Sequence, residues 1–109
     1  MDNYQLLSRL KGTRHLRGVF LKSELRGQRP RIKECGIINL DNDKGTHWTA
    51  YRKNRDVVIY FDPFGIQPPN EVIEYFRGNK IYYTTEQVQD LGSSICGELC
   101  LLFLKNFSL

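Results

Sequence analysis

The stretch from Ile32 to Phe61 constrains this chain more than any other. It holds three runs of strand formers separated by turn formers. Ile32–Leu40, with Cys35, Ile37 and Ile38, reads as a strand. Asp41-Asn42-Asp43-Lys44-Gly45 is a turn-forming cluster. His47–Lys53 reads as a second strand and Asp56–Phe61 as a third, and Asn54-Arg55 between them fits a tight hairpin. Strands joined this way pair antiparallel, and the resulting sheet needs a cover over its apolar face.

The rest of the chain supplies the cover. Tyr4, Leu6, Leu7 and Leu10 give Asn3–Leu10 the pattern of a short amphipathic helix, ended near Lys11-Gly12. Residues 12–31 are rich in Gly, Arg and Pro and suggest an irregular arm with one short strand at Val19-Phe20-Leu21. Pro68-Pro69-Asn70 precedes a helix from Glu71 to about Arg77, with Asn70 as its cap. Ile81–Thr84 is a fourth strand. A last helix starts after Ser93-Ser94 and runs to about Asn106. It is apolar nearly all round, which predicts a buried helix. The order predicts an α+β fold: an antiparallel sheet with a buried helix.

At 109 residues there is room for one domain, spanning the whole chain. Such a domain buries roughly 65% of its unfolded surface, enough for one modest core. The longest uncharged apolar run is too short for a bilayer. Met1-Asp2-Asn3 does not begin a signal peptide. These features argue against membrane, secreted and disordered classes and predict an intracellular protein. Cys35, Cys96 and Cys100 form an odd set, as expected of free thiols in a reducing compartment. Cys96 and Cys100 with His47 or Cys35 could imitate a zinc set. Each ligand would then come from a separate element, so no metal is expected.

Charge is unevenly spread. Residues 1–33 carry +7, from Arg9, Lys11, Arg14, Arg17, Lys22, Arg26, Arg29, Arg31 and Lys33 against Asp2 and Glu24. Residues 34–109 carry −3. A basic lobe beside a slightly acidic body can attract nucleic acid or an acidic activator.

Four residues at element boundaries can do chemistry. Cys96 opens the last helix, where backbone N–H groups favour a thiolate. Gly97 beside it leaves room for a substrate backbone. His47 begins the second strand and can take the thiol proton. Asp62 ends the third strand, fifteen residues on, and can orient the imidazole. Gln89, seven residues before Cys96, can donate to an oxyanion, a contribution of ~3 kcal/mol. Base, orienter, oxyanion donor and nucleophile are the set a thiol protease needs.

Gly45-Thr46-His47-Trp48, Phe61-Asp62-Pro63-Phe64-Gly65, Gln87-Val88-Gln89 and Cys96-Gly97 together resemble the adenovirus-type cysteine endopeptidases, the adenain family. Cys35-Gly36-Ile37-Ile38-Asn39 is similar as well, so the resemblance runs from about residue 5 to 109. It implies a papain-like core and a catalytic set of His47, Asp62, Gln89 and Cys96. Two glutamines compete for the third role, and the adenain-like interval of seven to the cysteine selects Gln89. Trp48 would pack beside the histidine, and its backbone would help the oxyanion.

The resemblance further implies cleavage of viral or virus-like precursor proteins, with a small residue such as Gly near the cut. It implies a monomer acting in a host nucleus or virion, and DNA as an activator. The chain departs from the adenoviral enzyme in two respects. It lacks that enzyme's long C-terminal region, ending thirteen residues after Cys96. It also has no cysteine between His47 and Cys96 to anchor a disulfide-linked activating peptide. SUMO-deconjugating proteases are distant relatives with a similar residue order, and deconjugation of a ubiquitin-like protein is the second reading. A catalytically inactive nucleic-acid-binding protein on the same fold is the third.

Overall fold

In the computed structural model, residues 2–40, 47–87 and 96–106 are described. Their order is α1 (Asn3–Arg9), β1 (Leu16–Leu21), a short 3-10 turn (Lys22–Leu25), β2 (Lys33–Asn39), β3 (Trp48–Asn54), β4 (Val57–Phe61), α2 (Asn70–Tyr75), β5 (Lys80–Tyr83) and α3 (Cys96–Asn106). The fold is α+β, and the five strands form one sheet in the order β1-β2-β3-β4-β5.

The middle of the sheet is antiparallel, as expected. β2 pairs with β3 and β3 with β4, the latter pair running from Asn54↔Val57 to Ala50↔Phe61. Arg55 takes the left-handed conformation (φ +57°) in the turn between them. Both edges differ from the expected antiparallel sheet. β1 is parallel to β2, and β5 is parallel to β4. The connections explain this. Residues 22–32 and residues 62–79 are each long enough to carry the chain back across the sheet before the next strand begins.

Alternation along the strands divides the core in two. Cys35, Ile37, Trp48 and Ala50 face Leu6 and Leu10 of α1 and Cys96, Cys100, Leu101 and Leu104 of α3. Ile38, Tyr51, Val58 and Tyr60 face Leu25, Val72, Tyr75 and Phe76. Helices therefore cover both faces, and β3, buried through most of its length, is the spine.

Local chemistry sets the ends of the helices. Asp2 accepts from the Gln5 N–H at 2.8 Å and donates its own N–H to Gln5 Oε1 at 3.0 Å, a capping box that starts α1. α2 is shorter than expected. Pro69, not Asn70, occupies the cap position, without a side-chain cap bond, and Asn70 is the first helical residue. α3 departs from the fully buried helix of the sequence reading. Its buried face is Cys96, Gly97, Cys100, Leu101 and Leu104, while Leu102 is 55% exposed. A helix lying on one face of a sheet can bury only one stripe. Among the described residues no helix is long and apolar enough to cross a membrane.

Candidate active site

The β3–β4 hairpin assembles the first half of the site. Its register, extended past Ala50↔Phe61, sets residue 47 opposite residue 64. His47 immediately precedes β3 and Asp62 immediately follows β4, so the two arrive side by side. His47 Nε2 lies 3.1 Å from both Asp62 carboxylate oxygens. Asp62 is fully buried, and the His47 side chain is 19% exposed. With its proton on Nε2 donated to Asp62, the imidazole keeps Nδ1 as its basic nitrogen.

The Asp-Pro-Phe-Gly turn holds that carboxylate in place. The Phe64 N–H donates to Asp62 Oδ1 at 2.8 Å, and the Gly65 N–H to the Asp62 carbonyl at 2.8 Å. Gly65 adopts φ +71°, and a Cβ there would meet the Thr85 carbonyl at 2.7 Å and the Glu86 backbone at 2.8 Å. Only glycine fits both the conformation and the contact. The Phe64 ring packs edge to face on the His47 imidazole, with centroids 5.0 Å apart and planes at 73°. Phe64 was not singled out in the sequence, although the hairpin register alone points to it.

The second half arrives on α3. Cys96 is the first residue of that helix and is 1% exposed. The Trp48 backbone N–H donates to Cys96 Sγ at 3.4 Å. The thiol thus contacts the residue next to His47 in the chain, 48 positions away from Cys96. The sulfur has a backbone donor at the N-terminal end of an eleven-residue helix. The other two cysteines lie deeper in the packing. Burial pushes the Cys100 thiol well above its ordinary range, and its neighbours Cys96 and Asp62 push it further. Burial also raises Cys35, opposed by the Arg52 guanidinium.

Of the four expected catalytic residues, His47 and Asp62 therefore meet at one end of the sheet, and Cys96 reaches the same end through the N–H of Trp48, the residue next to His47. Gln89 lies outside the described residues, as do Gly45, Thr46, Ser93 and Ser94, while Gln87 is exposed. Trp48 is 2% exposed and bears on the site through its backbone N–H. Gly97 is buried, and the space beside it belongs to the Trp48 ring. No group of three His, Cys, Asp or Glu side chains that could hold a metal occurs among the described residues.

The basic residues do not form one lobe. Arg17 reaches Glu34 at 3.5 Å, the Arg29 carbonyl at 3.4 Å and Gln28 at 3.3 Å. Lys22 pairs with Glu71 at 3.7 Å. The Arg31 backbone N–H donates to Glu34 at 2.6 Å. Arg26 and Arg29 border a cleft of about 630 Å³ shared with Glu71 and Glu74. Arg9, Lys11 and Arg14 instead line a groove of about 390 Å³ with Arg52 and Lys105. Arg14 and Arg52 also line an adjoining hollow with His15, Lys33 and Lys53. Arg52 and Lys105 were missed in the sequence because they lie outside the basic N-terminal third.

No family model matches the chain, and no curated protein matches it.

Proposed function

We propose that this protein is a cysteine endopeptidase with a Cys96–His47–Asp62 site. One observation carries the reading. His47 Nε2 is bracketed by both oxygens of a buried Asp62, while the neighbouring Trp48 N–H donates to Cys96 Sγ. This arrangement supports a base, its orienter and a nucleophile drawn from two distant segments.

The mechanism follows from those roles. His47 Nδ1 takes the Cys96 proton, and the thiolate adds to the scissile carbonyl carbon. The tetrahedral oxyanion is held by backbone N–H groups and by Gln89. Collapse breaks the C–N bond, and the imidazolium gives its proton to the leaving amine. Water, deprotonated by His47, then hydrolyses the thioester and regenerates the thiol. Asp62 remains a carboxylate throughout and keeps the ring in the productive tautomer. By the resemblance, the substrate is a viral or virus-like precursor protein. A polyanion such as DNA is a proposed partner, and the groove formed by Arg9, Lys11, Arg14, Arg52 and Lys105 supports it.

The test is a peptide panel together with a thiol-reactive probe. Wild-type protein is expected to cleave a subset of peptides and to be labelled at Cys96, and Cys96→Ala to lose both. Cleavage or labelling that survives this substitution sinks the proposal. A conjugate ending in Gly-Gly, run alongside, separates endopeptidase action from deconjugation of a ubiquitin-like protein.

A further inference from the structure

The first turn of α3 lies close against the start of β3, and Gly97 is the point of contact. A Cβ at Gly97 would stand 3.3 Å from Trp48 Cδ1, 3.6 Å from Trp48 Nε1 and 3.6 Å from Leu6 Cδ2. These neighbours have little room to withdraw. Trp48 is 2% exposed and Leu6 is fully buried. The Trp48 backbone is held in the sheet opposite Asn39.

Nothing in the local backbone asks for glycine at this position. Gly12, Gly18, Gly27, Gly65 and Gly78 have positive φ, and Gly97 is not among them. Within a helix, glycine is less favourable than alanine. The feature that crowds a side chain here is the ring of Trp48, whose Cδ1 at 3.3 Å is the tight contact, while Leu6 Cδ2 at 3.6 Å lies at ordinary packing distance. Trp48 is also the residue whose N–H reaches Cys96 Sγ at 3.4 Å, and it is covalently joined to His47. The gap between Gly97 and the Trp48 ring is therefore coupled to the gap between nucleophile and base.

We propose that Gly97 is a positioning residue: its missing side chain lets α3 approach β3 closely enough to hold the Cys96 thiol at the Trp48 amide and beside His47. The proposal rests on the Cys96–His47 reading above. It also gives α1 a part in the site, because Leu6 forms the second wall behind Gly97.

Gly97→Ala tests it. Alanine favours the helix, so a purely structural glycine predicts a variant at least as stable and equally reactive. The proposal predicts a folded variant in which alkylation of Cys96 by iodoacetamide slows and kcat falls, each about tenfold, with KM unchanged. The Trp48 backbone amide resonance shifts and its proton exchanges faster with solvent. Trp48→Val keeps that N–H and removes the ring atoms that face Gly97, so the Gly97→Ala, Trp48→Val pair alkylates within about threefold of Trp48→Val alone.

A Gly97→Ala protein with wild-type alkylation, wild-type kcat and an unmoved Trp48 amide overturns the proposal. Should the single variant fail to fold, the comparison passes to Trp48→Val with and without Gly97→Ala. Equal rates there support the spacing role, and a persisting tenfold loss overturns it. Failure of the protease reading looks different. The wild type then cleaves no peptide, while the Trp48 amide still responds to Gly97→Ala.

Discussion

Asp62 carries more of the site than its single carboxylate suggests. One oxygen accepts the Phe64 N–H, and both lie 3.1 Å from His47 Nε2. Asp62→Asn keeps the size and the Phe64 bond but presents an amide whose N–H₂ cannot accept from Nε2–H. The imidazole is then driven toward the tautomer with its proton on Nδ1, where it no longer deprotonates Cys96. Turnover is expected to fall about 100-fold or more with the fold intact, since positioned acid–base groups contribute at least that much. Steady-state kinetics beside a thermal melt check it, and an Asn variant of wild-type kcat removes Asp62 from the mechanism. His47, Asp62 and Cys96 were legible in the sequence because each is a reactive residue at an element boundary. The contribution of Phe64 was not, and Gly97 was read as room for a substrate backbone, whereas the Trp48 ring lies beside it. A phenylalanine and a glycine carry no chemical signature, and their roles exist only once the hairpin register and the α3–β3 approach are fixed.

At the scale of elements, Glu34 ties the β2–β3 centre of the sheet to its flanks. It is 1% exposed, and its Oε2 accepts from the Tyr51 and Tyr75 hydroxyls while Oε1 meets Arg17 and the Arg31 N–H. β1, β2, β3, α2 and the arm after β1 thus share one carboxylate. Burial, reinforced by Glu34, pushes both phenols above their ordinary value of 10.0, and burial raises Tyr60 as well. In the unfolded chain these phenols ionise near 10, whereas in the folded protein they keep their protons. Folding stability therefore holds below pH 10 and falls as pH rises above it, by about 1.4 kcal/mol per pH unit for each phenol held protonated. Urea midpoints from pH 8 to 11.5 check the sign, and Tyr51→Phe is expected to flatten the fall. A midpoint that stays level through pH 11 contradicts it. This network also shows why β1 was read as a short strand in an irregular arm. Every residue of β1 is only partly buried, so no alternation marks it. The arm is pinned by a glutamate on another strand. The hairpin, by contrast, needed only local sequence. α3 was misjudged because an apolar surround is compatible with one buried stripe, with Phe103 stacking on Phe61 at 5.1 Å beside it.

Across the whole molecule, reactive groups and positive charge occupy opposite ends of the sheet. His47 immediately precedes β3 and Cys96 opens α3, whereas Arg52 lies near the far end of β3 and Lys105 near the far end of α3. At that far end the Arg52 guanidinium donates to the Leu104 carbonyl, joining the two elements. Arg9, Lys11 and Arg14 come in from α1 and the loop after it, so three parts of the chain contribute cations to one groove, and no Asp or Glu is among the described residues that line it. The N-terminal excess of +7 overstated this surface, since Arg17 and Lys22 are engaged by Glu34 and Glu71. It also understated it, since Arg52 and Lys105 lie outside that segment. A polyanion seated here would displace counterions from about four or five phosphates. Affinity for a short DNA duplex is then expected to drop about 150- to 500-fold between 50 and 200 mM salt. Arg14→Glu combined with Lys105→Glu should remove most of the binding and flatten the salt dependence. Arg26→Glu, in the cleft already shared with Glu71 and Glu74, should change little. Fluorescence anisotropy across a salt series separates these outcomes. If Arg26→Glu weakens binding as much as the Arg14→Glu, Lys105→Glu pair, attraction follows net charge rather than the groove. If it does not, a polyanion at one end of α3 and the thiol at the other are joined by a single eleven-residue helix.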